Sequence, residues 1–535
     1  MPGYNIPDVL VVGMGGGGAV VAKELAEQGL GVVVLEAGAW LEPARDFAGL
    51  EWEMTGQIDS VFRWGPVDRT RLPWPRILDG VRSATQTAGV GGNTLQSAGS
   101  SPRAYPGSVT PGWPLDYGDL IPHYEKVEAT LPVVVPDVIA PKDQLFIEGC
   151  ERAGLAHVAG PDVTGPGWRI QPNAILPVAS RHTAADGCTQ CGGCLTGCRN
   201  PAGSRAAHTA KRGANASYAP LAMATDNCEI RTGCFATRVL TEERGGRVRV
   251  RAVRYRDAAG KMFEQDAEVV VLAGGAVETP RLWLASGLPV GPHTGRGLTT
   301  HWFEYVVGVV PRETGPDLGQ ASMARADFPG EGFLQSLGAG PLATALLAYG
   351  GAWPRPSTGP WATRGKMLGP DLKRRMEAYR HTLLIACGVN DDPSPESSVT
   401  LSGDVRDEHN PAPVIRYRAS AGTAARRDRL AKRAAEILLA AGAIPESIHR
   451  ADAPPALVHQ MGTMRMSASP EDGVVDGACE AHGVDGLFVA DASVLPDALG
   501  GASPTLTIQA LATRTAGKIA ERHFGALERR IVRGR

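Results

Sequence analysis

A glycine-rich turn close to the N-terminus constrains the fold of this chain more than any other feature. Residues 8–38 read DVLVVGMGGGGAVVAKELAEQGLGVVVLEAG. The segment consists of an apolar strand, a glycine turn, a helix with apolar residues at helical spacing, and a second strand rich in β-branched residues. This order is typical of a β-α-β unit, so the sequence predicts an α/β fold built on a Rossmann-type parallel sheet.

Three glycines of the turn fit the pattern G-x-G-x-x-G. Gly13 would permit the tight turn, Gly15 would admit a pyrophosphate against the backbone, and Gly18 would let the helix pack closely on the strand. Glu36 ends the second strand 23 residues after Gly13, where a carboxylate can accept hydrogen bonds from an adenosine ribose. We therefore expect this unit to bind a dinucleotide.

Two distant segments predict further strands of the same sheet. Residues 267–287, AEVVVLAGGAVETPRLWLASG, read as an apolar strand, a small-residue turn and a helix. Residues 484–521 read as another strand with Asp491 at its end, followed by a long helix from Thr505. Ligands of open α/β sheets bind at the carboxyl ends of strands and at helix N-termini. Asp491 and Thr505 are therefore expected to contact the dinucleotide, with a helix or turn cap as the alternative role for Asp491.

Residues 301–455 have a different character. Alternating apolar residues in HWFEYVVGVV, TALLAYGGAW, HTLLIACGV, SSVTLSG and PVIRYRA predict an antiparallel sheet that forms a separate, substrate-side layer. Four aromatic residues of this segment could stack on a sugar ring, and ordinary core packing is the alternative for each. They are Trp302, Tyr305, Trp353 and Trp361.

The charge balance excludes some classes of partner. Lys and Arg total 54 against 56 Asp and Glu, a formal net charge of −2, so the composition does not point to nucleic acid or to an acidic membrane surface. We expect a small neutral substrate. The N-terminal segment MPGYNIPDVLVVGMGGGG lacks the basic region and cleavage site of a signal peptide, and no run approaches about 18 apolar residues. A cytoplasmic chain without a membrane span is the expectation, and export with a partner subunit stays open.

The nine cysteines are an odd number, which does not suit the disulfide framework of a small secreted protein. Four of them fall in CTQCGGCLTGC at the spacing C-x2-C-x2-C-x3-C: Cys188, Cys191, Cys194 and Cys198. This spacing is typical of ferredoxin-type iron–sulfur ligands, but ferredoxins continue with proline, whereas Arg199 and Asn200 precede Pro201 here. An iron–sulfur cluster, and thiols that pack or pair under oxidation, both stay open.

Taken in order along the chain, the motifs resemble those of one known family. Besides the glycine turn they are AGVGGNTLQSAGSSPR, GWPLDYGDLIPHYEKVE, VVVLAGGAVETPRLWLASG, GRGLTTH, HQMGTMRM and LFVADASVLPDALGGASPTLTIQALATR. The chain resembles the glucose-methanol-choline (GMC) oxidoreductases, the FAD enzymes that oxidise alcohols and sugars. The resemblance covers nearly the whole chain.

The resemblance implies FAD rather than NAD as the cofactor. It places the flavin ring near AGVGGNTL, where backbone and side-chain donors are offered by Gly91, Gly92, Asn93 and Thr94. It also implies a Rossmann-type FAD-binding domain and a second α+β substrate domain built on an antiparallel sheet. The expected division is 1–130, 231–300 and 456–525 for the FAD-binding and catalytic parts, 131–230 for a linker with the cysteine loop, and 301–455 for the substrate domain.

The same resemblance supplies the catalytic candidates. His459, which opens HQMGTMRM, matches the active-site histidine of the family. Hydride transfer from an alcohol to flavin N5 requires a base for the hydroxyl proton, and the unperturbed pKa of histidine, about 6.5, suits that role near neutral pH. Relatives usually pair this histidine with an asparagine or a second histidine just before the last helix, but GGASPTLTI has Ser503 there. A serine hydroxyl can bond a substrate oxygen, and capping the helix beyond Pro504 is the alternative role.

The expected function is therefore FAD-dependent oxidation of a primary or secondary alcohol, such as a sugar, a glycoside or another CH–OH donor. Electrons would pass to oxygen, a quinone or a cytochrome. Two alternatives stay open: a flavoprotein without net redox turnover, such as a lyase, and an electron-transfer subunit with an iron–sulfur cluster. For the latter, family members that reduce a cytochrome carry three cysteines at the spacing of Cys188, Cys194 and Cys198.

Overall fold

The strands in the part of the chain that the structure describes form four separate sheets. The computed structural model describes residues 6–41, 46, 74–81, 83–109, 112–182, 185–195, 197–198, 209–341, 344–345, 369–451 and 456–525. Within these ranges there are a five-stranded sheet, an eight-stranded sheet and two three-stranded sheets. In chain order the strands are β1 (Val9–Val12), β2 (Val32–Glu36), β3 (Ile77–Asp79), β4 (Ser83–Ala84), β5 (Gly167–Ile170), β6 (Cys228–Thr232), β7 (Phe235–Arg244), β8 (Arg247–Arg256), β9 (Met262–Asp266), β10 (Val269–Leu272), β11 (His301–Val309), β12 (Ala324–Phe328), β13 (Gly332–Ser336), β14 (Thr382–Asn390), β15 (Ser398–Arg406), β16 (Pro411–Arg416), β17 (His449–Ala451), β18 (Ala456–Leu457) and β19 (Leu487–Val489).

The helices connect and cover these sheets. In chain order they are α1 (Gly16–Glu27), α2 (Tyr117–Thr130), α3 (Pro141–Arg152), α4 (Tyr218–Met223), α5 (Gly275–Ser286), α6 (Pro370–Glu377), α7 (Ala421–Ala440) and α8 (Thr505–Ile519). None of the helices in the described ranges has both the length and the apolar character needed to cross a bilayer.

The five-stranded sheet is parallel throughout, with the order β19-β10-β1-β2-β6. It confirms the predicted Rossmann-type sheet and places the strands of segments 267–287 and 484–521 on one side of β1. Every residue of β2 and β10 is buried, as expected for parallel strands that are covered on both faces.

The carboxyl ends of β1, β10 and β19 lie next to one another at one edge of this sheet, and close backbone approach holds the loops that follow them together. Gly13, after β1, has a φ of 101°, and a Cβ atom there would lie 2.5 Å from the carbonyl oxygen of Ala273. A Cβ atom at Gly17 would lie 1.9 Å from the carbonyl oxygen of Ala490. Ligands of open α/β sheets bind at this edge.

The eight-stranded sheet forms the second layer. Its order is β4-β18-β11-β14-β13-β12-β5, with β17 also paired to β11, and all neighbours are antiparallel except β4 and β18. Helices α3 and α7 pack against one face through a buried apolar cluster that includes Val306. Because side chains alternate along a strand, the opposite face of β11 carries His301, Phe303 and Tyr305.

One part of the predicted antiparallel layer was wrong. SSVTLSG and PVIRYRA form β15 and β16, which pair with each other and with β3 in a separate three-stranded sheet. Val399 and Ile415 of this sheet pack in a cluster with Val277 of α5, so its apolar face covers the Rossmann side. Most of TALLAYGGAW lies outside the described residues.

Candidate active site

A cavity of about 590 Å³ is lined both by the loops at the edge of the parallel sheet and by the antiparallel sheet. The site residues predicted from the sequence that line it are Gly13, Gly15, Glu36, Gly92, Asn93, Thr94, His459, Asp491 and Thr505. Gly18, Gly91 and Ser503 do not line it. The cavity therefore brings most of the predicted cofactor residues and the predicted base together.

The glycine turn forms one end of the cavity. Gly15 is the N-cap of α1, and a Cβ atom built on it would approach no described atom more closely than the Cα of Gly92, at 3.9 Å. Gly18 instead faces the strand, since a Cβ atom there would lie 2.0 Å from the carbonyl oxygen of Gly13. Backbone N–H groups at a helix N-terminus bind anions, so the open side of Gly15 suits a phosphate group.

The carboxylate of Glu36 lines the cavity at the end of β2. Its Oε2 accepts a hydrogen bond from the Met14 N–H at 2.8 Å, and its Oε1 accepts from the N–H groups of Gly38 at 2.7 Å and Gly89 at 3.0 Å. Burial raises the pKa of this carboxyl, while the three N–H donors oppose the increase. Glu36 thus ties the glycine turn to the loop at Gly89, and its remaining lone pairs can accept from a ligand hydroxyl.

The loop predicted to lie beside the flavin contains a single 3₁₀ turn, Gly92–Leu95. The Thr94 hydroxyl donates to the Gly91 carbonyl at 2.6 Å and accepts from the Ala214 N–H at 2.9 Å. Thr94 therefore holds the loop in place as well as lining the cavity. The side chain of Asn93, which also lines the cavity, is exposed.

Asp491 lies at the cavity but is engaged by the protein. Its Oδ1 accepts from the Ser493 N–H at 2.8 Å, and its Oδ2 accepts from the Gly275 N–H at 2.9 Å and the Thr279 hydroxyl at 2.6 Å. The bond from Ser493 is that of a turn cap, the alternative role of Asp491. The bonds from Gly275 and Thr279 also tie Asp491 to α5. Thr505 begins α8 and lines the cavity directly.

His459 lies against the antiparallel sheet. Its Nδ1 is 2.8 Å from the Nδ1 of His301, and its ring centroid lies 5.0 Å from that of His301 and 5.2 Å from that of Phe303. Burial, together with His301 and Arg325, holds the pKa of His459 well below its usual range. Sequence reasoning did not single out His301, although it closes the motif GRGLTTH; its position at the start of an alternating strand was the available signal.

Ser503 belongs to a buried polar network instead of the cavity wall. Its Oγ accepts from Nη1 of Arg325 at 3.1 Å, and Nη2 of Arg325 donates to the Tyr105 hydroxyl at 3.2 Å. Nε of Arg325 donates to Asp327, which also accepts from Tyr105 at 2.6 Å and from Arg169 at 2.8 Å. The guanidinium charge of Arg325 is thus paired, as a buried charge requires.

Part of the cavity lining forms an apolar wall. We define this wall by five residues that line the cavity: Leu195, Tyr305, Leu337, Leu384 and Val458. The Tyr305 hydroxyl makes no hydrogen bond to any residue in the described ranges. Of the other aromatic candidates, Trp302 lies on the opposite face of the sheet with the Arg427 guanidinium 4.4 Å from its ring centroid, and Trp353 and Trp361 lie outside the described residues.

The cysteine loop is packed beside the cavity. Cys188 and Cys194 are buried in an apolar cluster with Ile175, whereas Cys191 is exposed and Cys198 is half-buried. In the part of the chain that the structure describes, no three His, Cys, Asp or Glu side chains are grouped so that they could hold a metal ion. Residues 196 and 199–208 of this region lie outside that part.

A buried lysine joins the cysteine loop to the cavity wall. The Lys211 ammonium donates to the carbonyl oxygens of Leu95 at 2.7 Å, Ser97 at 3.0 Å and Cys194 at 2.5 Å. Burial lowers the pKa of Lys211 to about 8. Because Ser97 lines the cavity, one side chain connects the cysteine loop to the wall.

Comparison with known proteins identifies the family. Models of the GMC oxidoreductase family match residues 173–303 and 393–512. The 6'''-hydroxyparomomycin C oxidase of Streptomyces lividus is 30% identical, covering 97% of this chain and 92% of its own. A long-chain-alcohol oxidase of Arabidopsis thaliana is 27% identical, covering 96% of this chain and 66% of its own.

A solved structure shares the fold. The crystal structure of pyridoxine 4-oxidase from Mesorbium loti has a TM-score of 0.65 and 17% sequence identity, covering 97% of this chain and 100% of that chain. This agrees with the Rossmann-type sheet and the antiparallel layer. The chain therefore belongs to the glucose-methanol-choline oxidoreductases and is an enzyme that acts on CH–OH groups.

Proposed function

We propose that the chain binds FAD in the cavity and oxidises a primary or secondary alcohol with His459 as the base. The placement of His459 is the observation that carries this proposal. Its Nε2 has no hydrogen-bond partner among the described residues, and its ring lines the same cavity that begins at the glycine turn. A base must lie within hydrogen-bond reach of the proton it removes, and this cavity gives a substrate access to that nitrogen.

The lining of the cavity fits FAD along its length. The open side of Gly15 at the start of α1 suits the pyrophosphate, and Glu36 suits the ribose hydroxyls. Beyond Glu36, the apolar residues Phe235 and Ala236 line the cavity and suit the adenine. Asn93 lines the part of the wall that we assign to the flavin.

In the proposed reaction, the cofactor and the residues of the chain have separate roles. FAD, when bound, would supply the two-electron acceptor for the hydride of the alcohol carbon. His459 accepts the hydroxyl proton at Nε2, so that the alcohol loses one C–H and one O–H bond and becomes a carbonyl compound. An external electron acceptor, for which oxygen, a quinone and a cytochrome are the candidates, completes the turnover.

The apolar wall favours an alcohol with an apolar body. Its five residues offer one polar group, the Tyr305 hydroxyl. A sugar would bury several hydroxyls against this wall, and each buried hydroxyl without a partner costs about 1–3 kcal/mol. An alkyl or aryl chain would instead gain about 0.8 kcal/mol for each CH₂ group removed from water.

Two glycine variants separate cofactor binding from folding. Gly15→Ala should weaken FAD binding at least about tenfold, because the added methyl group enters the cavity without meeting the protein. Gly17→Ala should instead lower the Tm of the apoprotein, because its Cβ atom would lie 1.9 Å from the Ala490 carbonyl oxygen, and overpacking of this kind typically costs about 1–3 kcal/mol. Flavin titration and thermal unfolding measure the two effects. Wild-type FAD affinity in Gly15→Ala would place the cofactor elsewhere.

His459→Ala should lower kcat by about 10²-fold or more, the usual contribution of a general base, with FAD content unchanged. His482→Ala is the matched control, since His482 is bonded to Ser467 and does not line the cavity. Steady-state kinetics with the best substrate measure both variants. Near-normal turnover of His459→Ala would refute the assignment of the base.

The pH profile provides a further test. The base form of His459 is neutral, and burial and the charge of Arg325 disfavour its charged form, so the neutral form persists to lower pH than in an ordinary histidine. Activity should therefore be present above the His459 pKa and be lost as the pH falls through it. We expect the acid limb of kcat/KM to lie below about pH 6.5, the ordinary histidine value. An acid limb at pH 7 or above would contradict this.

A panel of alcohols tests both the reaction and the substrate class. For n-alkanols kcat/KM should rise with chain length, by up to about fourfold per CH₂ group, and each α,ω-diol should react more slowly than the n-alkanol of equal length. Oxygen and an artificial acceptor are compared side by side. The best alcohol should also bleach the flavin spectrum without oxygen, and a lyase would show no such bleaching. Faster turnover of glucose than of any alkanol would overturn the substrate class.

Iron content decides the role of the cysteine loop. Because Cys191 is exposed while Cys188 and Cys194 are buried in an apolar cluster, we expect packed thiols and less than about one iron atom per ten chains. Elemental analysis and acid-labile sulfide in anaerobically prepared protein measure this. A value near three or four iron atoms per chain, the usual cluster sizes, would establish an iron–sulfur cluster instead.

A further inference from the structure

His301 holds both of its ring nitrogens in hydrogen bonds. It begins β11 and is fully buried. Its Nε2 lies 2.9 Å from the carbonyl oxygen of Ala498, and its Nδ1 lies 2.8 Å from the Nδ1 of His459. The two rings are nearly perpendicular, at 82°. The Ala498 carbonyl, His301 and His459 are thus joined by hydrogen bonds in a row that ends at the cavity.

The chemistry of these groups determines where each proton lies. A carbonyl oxygen only accepts hydrogen bonds, so Nε2 of His301 carries a hydrogen. Burial lowers the pKa of His301 to about 4, so the ring is neutral and its Nδ1 is an acceptor. The Nδ1 of His459 must then carry the hydrogen of that bond, and a neutral His459 has its free lone pair on Nε2.

The Ala498 carbonyl at the other end of this row is itself held in place. It also accepts from the Gly501 N–H at 2.9 Å. The preceding residue, Asp497, accepts from the Leu499 N–H at 2.7 Å and from the Trp113 indole at 3.0 Å. The Ala498 carbonyl therefore presents a fixed acceptor to His301.

We propose that His301 is a positioning residue, which keeps the proton of neutral His459 on Nδ1 and so presents an unprotonated Nε2 to the substrate. This inference rests on the proposed function. When Nε2 takes the alcohol proton, the Nδ1–H of His459 keeps its bond to His301, so the imidazolium forms with no other proton moving. Without His301, neutral His459 could carry its proton on Nε2, and that nitrogen would then be unable to accept the proton of the alcohol.

Substitutions of His301 test the role through kinetics. His301→Leu should lower kcat by about 10²-fold while KM changes less than about threefold and FAD stays bound. In His301→Asn, the Oδ1 atom can occupy the position of Nδ1. The kcat of this variant should therefore be at least about tenfold higher than that of His301→Leu. If Asn is no better than Leu, or if KM and FAD content change instead of kcat, His301 has only a structural role.

A double variant shows whether His301 acts through His459. In the His459→Ala background, the further change His301→Leu should lower kcat by less than about twofold, because the proton it positions is gone. A further loss of tenfold or more would overturn the inference. If His459→Ala alone keeps its turnover, the proposed base is wrong, and the two failures are thereby distinguished.

A spectroscopic measurement tests the inference even if the His301 variants fold poorly. In wild-type holoenzyme labelled with ¹⁵N-histidine, the signals of His459 are those absent from His459→Ala. They should show a protonated Nδ1 and an unprotonated Nε2 at neutral pH. The opposite tautomer would overturn the inference whatever the kinetics show.

Discussion

The backbone of Gly17 runs so close to the loop after β19 that a Cβ atom would lie 1.9 Å from the carbonyl oxygen of Ala490. At Gly13 a Cβ atom would lie 2.5 Å from the carbonyl oxygen of Ala273, at the end of β10. Three loops are thus in backbone contact at the edge of one sheet, without side chains between them. Asp491 can bond to the start of α5 only because these loops are so close, and the end of the cavity at the glycine turn depends on the same contact.

The other end of the cavity depends on β11, whose two faces have different contacts. The face of β11 with Val306 packs into the core under α7, and the face with His301, Phe303 and Tyr305 meets His459 and the cavity. Because the strand is anchored by its core face, the residues of its other face have little freedom to move. A rigid sheet of this kind is a suitable support for the positioning role that we propose for His301.

The sequence predicted what is encoded locally and not what depends on distant contacts. The glycine pattern indicated the β-α-β unit because strand, turn and helix are adjacent in the chain, and His459 followed from the motif around it. The contact between His301 and His459 joins residues 158 positions apart, and no local pattern reports it. Likewise, alternation in SSVTLSG indicated a strand but not which sheet it would join, since partner strands are chosen by packing.

The ammonium of Lys211 binds three carbonyl oxygens, one in the cysteine loop and two, those of Leu95 and Ser97, at and just after the end of the 3₁₀ turn. A buried ammonium has three hydrogens, so none is left over, and pulling any one of the carbonyls away would strand a donor out of reach of water. The cysteine loop and the wall at Ser97 are consequently mechanically linked. A chemical change that shifted the backbone at Cys194 would therefore pull, through the Lys211 ammonium, on the segment that carries Ser97.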